Sequence, residues 1–543
     1  MRFSPLDLVT RSPARFALLA SLLVAPALGA GLVLDDYFLA TQLRDASGVR
    51  WAGLLDAFTF AYDVRGSREL GELPWWSDDT LRLRFLRPLA ALTHVVDLWF
   101  PPWVAHVQSA LWLALTNLAA ARWYERLLGE RAAAWAVCLF ALAPGHLFAA
   151  AWIANRSALL ATLFGIWALS SHDRARREGA HAWLAPILLF ASLLCGELGI
   201  STFALLFAHA CCLDERAGRF RALVPALVIT LAWLVVHHAL GYGAHASSMY
   251  LDPIAEPYAY VRGLATHLPL LAFSQWGFPI VGFAHLLAPA AMLWFALLAV
   301  AVMLCWLPSW RALWREDARA RFALVAMALT YLPIAATAPH DRLTLLADVP
   351  AFALLGLILE RARPPLRRWI GTRLAITTLL ALASAASLQT QAAPSERAFA
   401  SVGSRPVFVN PPSMFYTLFQ RRIRQTRGEP PIDRVRALAP SVRALDVERL
   451  DARTLRLHLR EPALPWFSPA WLMRTLDAFA RRDPLRAGQV TLSDVAINVD
   501  DQVLDFRFTQ PLEQLELLQW TGAWTPFVPP AVGERVHLPA GMP

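Results

Sequence analysis

Two adjacent aspartates, Asp35 and Asp36, follow a long apolar run with no spacer, in GAGLVLDDYFLATQLRDA (29–46). Further charged and imidazole side chains gather in three short stretches. RLRFLRPLAALTH supplies Arg82, Arg84, Arg87 and His94, and APGHLFAAAWIANRSALL supplies His146, Asn155 and Arg156. ATAPHDRLTLLADVP supplies His340, Asp341 and Arg342, with Asp348 slightly further on. Guanidinium groups offer a planar fork to oxyanions, so these arginines, with His beside them, could hold a phosphate or pyrophosphate. A carboxylate nearby could take the proton of an incoming hydroxyl. One aspartate suffices for that. The second could raise the pKa of the first by repulsion, or bind a cation or the acceptor.

Each residue also has a plainer explanation. Asp35 and Asp36 suit the first turn of a helix DDYFLATQLRDA, where acids are favoured. Arg82 and Arg84 fit interfacial snorkelling, and Arg87, before Pro88, fits a turn. His146 alone fits a packing histidine. Glu197 in CGELGIS fits a turn acid, and His237 and His238 fit an interface. The tail aromatics Trp466, Phe467, Trp520, Trp524 and Phe527 fit a protein core better than a sugar platform.

The surrounding chain must place these clusters. Of 543 residues, 57% are hydrophobic and 17% charged, with 22 tryptophans. That composition excludes an ordinary soluble domain and fits a polytopic membrane protein with a smaller soluble part. The net charge of +9 comes entirely from arginine, since the chain has no lysine. These arginines sit in short loops between apolar runs, which is the positive-inside pattern and argues against nucleic acid as a partner. All five cysteines lie in apolar runs, so neither a disulfide framework nor a metal-thiolate spacing is present.

Apolar runs of about membrane length fall at roughly 16–34, 104–122, 132–150, 157–171, 181–196, 199–213, 222–240, 285–307, 321–337, 343–360 and 372–389. We expect an all-α polytopic membrane domain of about eleven transmembrane helices over 1–391, whose first run is retained as a helix. Its arginine loops, such as HDRARREG and RALWREDARAR, place the N-terminus inside. Asp35 and Asp36 then open an outer loop (35–103), and a second outer segment (241–284) reads as a helix lying along the outer leaflet. Residues 392–543 form a small β-rich α+β soluble domain outside the membrane. RPVFVNP, VRALDVERL, TLRLHLRE, VTLSDVAINVDD and QVLDFRFTQ read as its strands, with hairpins at RLDARTL and NVDDQVL.

The order of four stretches resembles the GT-C superfamily of membrane glycosyltransferases, which use polyprenyl-phosphate-linked sugars. They are LDDYF, RFLRPLAALTHVVD, FALAPGHLFAAAWIANRSALLATLF and HDRLTLLADVPAFALL, with LLCGELGISTFALLF a weaker fifth. The likeness is to the multi-span O-mannosyltransferases with tetratricopeptide tails and to their bacterial relatives, although the tail here does not match. It covers roughly residues 30–360.

The resemblance implies an inverting transfer from a polyprenyl-phosphate donor to a protein or glycan acceptor at the outer face of a bacterial inner membrane. It implies catalytic roles for Asp35 and Asp36, without choosing between them. Donor phosphate contacts would come from Arg87, His146, Arg156, His340 and Arg342. Arg84, His94, Asn155 and Glu197 would support the site or the acceptor. No cofactor follows with certainty; Asp35 and Asp36 together could hold a divalent cation. Three polar positions of the family pattern are apolar here, at Ala143, Phe148 and Ala158, and Gly196 stands where a basic residue is usual. Two other functions stay open. A transporter or flippase of a lipid-linked glycan would place charges near the midplane and repeat its topology. A non-catalytic scaffold for envelope assembly would fit the lost polar positions.

Overall fold

The computed structural model describes residues 9–45, 47–75, 77–247, 249–286, 289–398, 402–412, 415–430, 432–438, 444–459, 492–498 and 503–539. Trp466 and Phe467 lie outside them. The chain divides into two compact units. The first comprises 1–58, 85–243 and 252–390; the second comprises 59–84, 244–251 and 391–543.

The first unit is helical. Its helices of eight residues or more are α1 (Pro13–Ala20), α2 (Asp35–Leu43), α3 (Pro88–Asp97), α4 (Pro102–Leu127), α5 (Glu130–Ala141), α6 (Pro144–Ala151), α7 (Arg156–Glu178) and α8 (Leu184–Cys195). They continue as α9 (Ile200–Cys212), α10 (Val224–Ala239), α11 (Pro257–Trp276), α12 (Pro289–Glu316), α13 (Ala318–Ile334), α14 (Leu345–Arg361) and α15 (Pro364–Ala398). α14 is apolar on all sides after Asp348 in its first turn and is buried from Leu345 to Leu359, as expected of a helix enclosed by others. Gly356 lets it approach α5: a Cβ there would meet the Ala132 carbonyl oxygen at 2.4 Å.

Among the described residues, four helical stretches are long and apolar enough to cross a membrane: Pro102–Leu127, Ile153–Glu178, Arg221–Ala239 and Ala291–Glu316. The bent pair α5 and α6 adds a fifth if it counts as one span, and shorter apolar helices run over Pro13–Gly29, Leu184–Cys195 and Glu197–Cys212. The chain is thus mostly helical with several membrane-length helices, and an exact count of eleven does not follow.

The first apolar run is helical from Pro13 to Gly29 but not α-helical throughout. α1 passes into a 3-10 helix, Ser21–Gly29, that contains Pro26. Proline has no N–H to donate to the preceding turn, which weakens a continuous α-helix there. In the segment 241–284, expected as a helix along the outer leaflet, α11 keeps its first half partly exposed and buries its end. Leu270 to Trp276 of α11 are buried. Trp276 packs against Trp306 and Trp310, at 5.3 and 4.8 Å between ring centroids. Part-way along α11 the His267 Nδ1 lies 2.7 Å from the Ala335 carbonyl oxygen.

The second unit carries the β structure. A five-stranded sheet is built from Leu445–Arg449 (β1), Thr454–Leu459 (β2), Leu492–Asn498 (β3), Val503–Phe508 (β4) and Arg535–Leu538 (β5), in the order β3-β4-β2-β1-β5. Its strand period is two. Val447, Leu455, Leu457, Leu504 and Phe506 are buried, while the alternate residues form cross-strand ion pairs such as Arg456 with Asp505 (2.7 Å) and His458 with Glu448 (2.7 Å). Both tail hairpins form, with Arg449 opposite Leu455 and Asn498 opposite Val503. Trp520, Trp524 and Phe527 are buried, as a core role requires.

Residues 59–84 belong to this unit through specific bonds. The Trp75 indole N–H donates to the Leu438 carbonyl (3.0 Å), and the Arg436 guanidinium donates to the carbonyls of Arg68 (3.3 Å) and Glu69 (2.8 Å).

Candidate functional site

The two aspartates are adjacent in sequence and opposite in character. Asp36 is 3% exposed. One of its carboxylate oxygens accepts from the Val33 N–H (2.8 Å), and the other accepts from the Ala154 N–H (2.7 Å). It therefore ties the start of α2 to the turn between α6 and α7. Burial pushes its pKa up to about 8, against the pull of those two N–H donors; the neighbouring Asp35 charge adds to the rise and Arg156 opposes it.

Asp35 begins α2 and is partly exposed. No hydrogen bond to its carboxylate forms among the described residues. Burial raises its pKa to about 6, while the charges of Arg342 and then Arg87 hold it down. The residue before it, Leu34, has φ 49° and ψ −112°, a conformation that disfavours any side chain with a Cβ. This kink begins α2 at Asp35, with Asp36 directed into the protein.

Arg342 comes from a 3-10 turn, Asp341–Leu343, ahead of α14. Its guanidinium lies over the Trp152 ring, 4.7 Å from the centroid. His340 precedes it; the His340 Nδ1 accepts from the Arg342 N–H (3.2 Å), and the ring lies 5.6 Å from Phe148. The turn fits closely against α6, because a Cβ at Gly145 would meet the Asp341 carbonyl oxygen at 2.2 Å.

Arg87 approaches from the turn before α3. Its Nε and Nη2 both lie 2.8 Å from one Glu197 carboxylate oxygen, and its Nη1 lies 3.4 Å from the Ser157 hydroxyl. The other Glu197 oxygen accepts from the Leu86 N–H (3.1 Å). Phe85 and Phe58 flank the guanidinium at 4.6 and 5.1 Å. Glu197 thus orients Arg87, which stays 22% exposed.

Three other basic residues lie elsewhere in the interior. Arg156 is fully buried with all three nitrogens engaged. Nε donates to the Ser109 hydroxyl (3.0 Å), Nη2 to the Ala105 carbonyl (2.7 Å), and Nη1 to Asp97 (2.8 Å) and to the Gln108 side-chain carbonyl. It locks α7 to α3 and α4. His94 joins that lock through Asp97, at 3.2 Å. Burial pushes the His94 pKa down. Burial works against the Asp97 charge, but His94 and Arg156 keep its pKa below the ordinary value.

His146 is also buried, and its Nε2 is 2.7 Å from an Asp348 oxygen. Asp348 accepts further from the Thr344 hydroxyl (3.0 Å) and the Gln275 amide (2.5 Å). This network borders a cavity of about 20 Å³ that Asp341 and Arg373 also line, room for a single water.

The first unit therefore brings Asp35, Arg87 and Arg342 into one electrostatic group, with Glu197 and His340 as neighbours. Asn155 is in the turn that donates to Asp36, and its buried Nδ2 has no partner among the described residues. Arg156 and His94 form one interior lock, and His146 belongs to another. Arg84 is in the second unit, 4.9 Å from the Tyr62 ring. Asp97, Gln108 and Trp152 were not singled out from the sequence. Asp97 had a usable signal, being a carboxylate in the outer loop three residues after His94. No group of three or more His, Cys, Asp or Glu residues that could hold a metal forms among the described residues.

No protein-family model and no curated protein matches the sequence. Solved structures do show similarity. One is ArnT from Cupriavidus metallidurans bound to undecaprenyl phosphate, at 15% identity over 71% of this chain and 87% of that one, with a TM-score of 0.38. The same protein in the apo state gives 15% identity over 70% and 82%, with a TM-score of 0.37. An oligosaccharyltransferase from Archaeoglobus fulgidus, tethered with an acceptor peptide containing the NVT sequon, gives 14% identity over 79% and 64%, with a TM-score of 0.35. Likenesses of this size carry no functional weight.

Proposed function

We propose that the protein is a membrane glycosyltransferase of GT-C type, moving a sugar from a polyprenyl-phosphate donor to an acceptor hydroxyl with inversion. The observation that carries this reading is Asp35, a carboxylate with no hydrogen-bond partner among the described residues, on which the charges of Arg342 and Arg87 act. A base needs a free oxygen and a pKa near the working pH, and Asp35 combines the two. Asp36 does not suit the role, because both of its oxygens already accept backbone N–H groups.

In the reaction, Arg342 and Arg87 bind the donor phosphate and stabilise the negative charge that grows on it as the C1–O bond breaks. Asp35 takes the proton of the acceptor hydroxyl as the oxygen attacks the anomeric carbon from the opposite face. The sugar passes to the acceptor, polyprenyl phosphate departs, and the proton stays on Asp35 until water removes it. Glu197 and His340 position the two arginines. Arg156, His94 and His146 maintain the scaffold. This mechanism uses no divalent cation. In our reading the site faces the outside of a bacterial inner membrane, with the N-terminus cytoplasmic and the β-rich unit extracytoplasmic, where it meets a protein or glycan acceptor.

The test is transfer from a radiolabelled polyprenyl-phosphate sugar by purified protein in proteoliposomes. Asp35→Asn should abolish it. Turnover by Asp35→Asn at the wild-type rate would remove the base from the mechanism.

A further inference from the structure

We propose that Trp152 is a positioning residue, fixing Arg342 relative to Asp35; the inference rests on the reading of Asp35 as the base. Three contacts of the indole support it. Its Nε1–H donates to the Val33 carbonyl (3.3 Å). Its face carries the Arg342 guanidinium at 4.7 Å. Phe148 meets it edge-on at 6.2 Å and reaches His340 on its other side. The ring therefore spans two segments that are 309 positions apart in the numbering between Val33 and Arg342.

Val33 is one residue from the strained Leu34, and its own N–H donates to Asp36. The indole thus grips the backbone that sets the direction of Asp35, and it carries the cation whose field acts on that carboxylate. The charged groups acting on Asp35 are Arg342 from the turn before α14 and Arg87 from the turn before α3, with Asp36 beside it on α2. Arg342 is the larger influence of the two arginines. Phe148, which replaces an acid in the resembling family, gains a purpose: it braces both Trp152 and His340. An acid there would add a negative charge next to Arg342 and compete with Asp35 for it.

A structural role for Trp152 would change the amount of folded protein. A positioning role also moves the pH profile. In Trp152→Leu the guanidinium loses its platform. The acid limb of kcat/KM should then rise by at least about 0.5 pH unit, and kcat/KM at neutral pH should fall about fivefold. Trp152→Phe keeps a ring face and should restore the limb. Site-specific tetrafluorotryptophan at 152 keeps the shape and weakens the attraction for a cation, so it should move the limb upward by itself. It decides the matter if Trp152→Leu does not fold. In an Arg342→Gln background, neither change at 152 should move the limb further. A limb that stays in place in both Trp152→Leu and the fluorinated protein would overturn the proposal. Asp35→Asn is run alongside. If it keeps full turnover the base reading itself fails, whereas a dead Asp35→Asn with an unmoved limb isolates the failure to Trp152.

Discussion

Replacing each aspartate of the pair by asparagine should separate chemistry from folding. Asp35 has no hydrogen bond to lose, and its charge is unfavourable where it sits. Raising its pKa from the ordinary 3.8 to about 6 corresponds to roughly 3 kcal/mol of disfavoured charge at neutral pH. Because Asp35 is partly exposed, solvent screening makes this an upper bound. The sign follows directly. An acid whose folded-state pKa is raised stabilises the fold below its unfolded value, and that contribution is lost as pH rises through 6. Asp35→Asn removes the charge, so at pH 7.5 its unfolding temperature should equal or exceed that of wild type. Its turnover should fall by about 10²–10⁴.

Asp36→Asn has the same shape and the opposite outcome. The native oxygens accept two N–H groups, at 2.8 and 2.7 Å. An asparagine amide has one acceptor oxygen, and its NH₂ would face an N–H donor in a buried site. The cost is about 1–3 kcal/mol, and activity should decline in step with the folded fraction. Intrinsic tryptophan fluorescence during thermal unfolding in nanodiscs, followed by transfer assays on the same samples, measures both quantities. If Asp35→Asn proved the unstable variant and Asp36→Asn a stable but inactive one, the assignment would be reversed and the reasoning refuted.

Three further outcomes follow from the same geometry. The kcat/KM for transfer should drop tenfold per pH unit below about 6, where Asp35 protonates; a flat profile from pH 5 to 8 would contradict a base of that pKa. Arg156→Gln should lower stability by about 3 kcal/mol, because it removes the charged hydrogen bonds that tie α7 to Asp97 and α4 in the interior and leaves Asp97 with His94 alone, whereas Arg342→Gln should raise the donor KM at an unchanged unfolding temperature. Addition of EDTA should leave turnover intact, and a loss reversed by Mg²⁺ or Mn²⁺ would place a cation on Asp35.

The helical half of the chain was legible wherever apolar length alone sets the element, as in α4 and α7. It was less legible where tertiary contacts overrule composition. The first apolar run turns from α to 3-10 geometry in the stretch that holds Pro26, a residue visible in the letters. The burial of the end of α11 depends on partners as distant as Trp306 and Trp310, and no window of sequence around Trp276 contains them. The tail strands were readable because one buried face imposes a period of two, seen in Leu455, Leu457, Leu504 and Phe506. The joining of 59–84 to the tail depends on Trp75 and Arg436 finding backbone carbonyls far along the chain.

At the site, residue types pointed to oxyanion and proton chemistry, and the clusters themselves were visible. The sequence could not distinguish Asp35 from Asp36, because that difference lies in which carboxylate the turn at Ala154 captures. Arg156 and Arg342 carry the same charge in similar contexts. Only packing shows that one is enclosed by Asp97, Gln108 and Ser109 while the other stands over Trp152 and acts through its charge on Asp35.

The central claim is that Asp35, Arg87 and Arg342 act on one donor. Its most direct test is a cryo-EM structure of the protein with a non-hydrolysable polyprenyl-phosphate sugar bound. The account predicts the phosphate within hydrogen-bonding distance of Arg342 and Arg87, and the Asp35 carboxylate on the opposite face of the anomeric carbon. A phosphate bound at His146 and Asp348, or an anomeric carbon out of reach of Asp35, would contradict it.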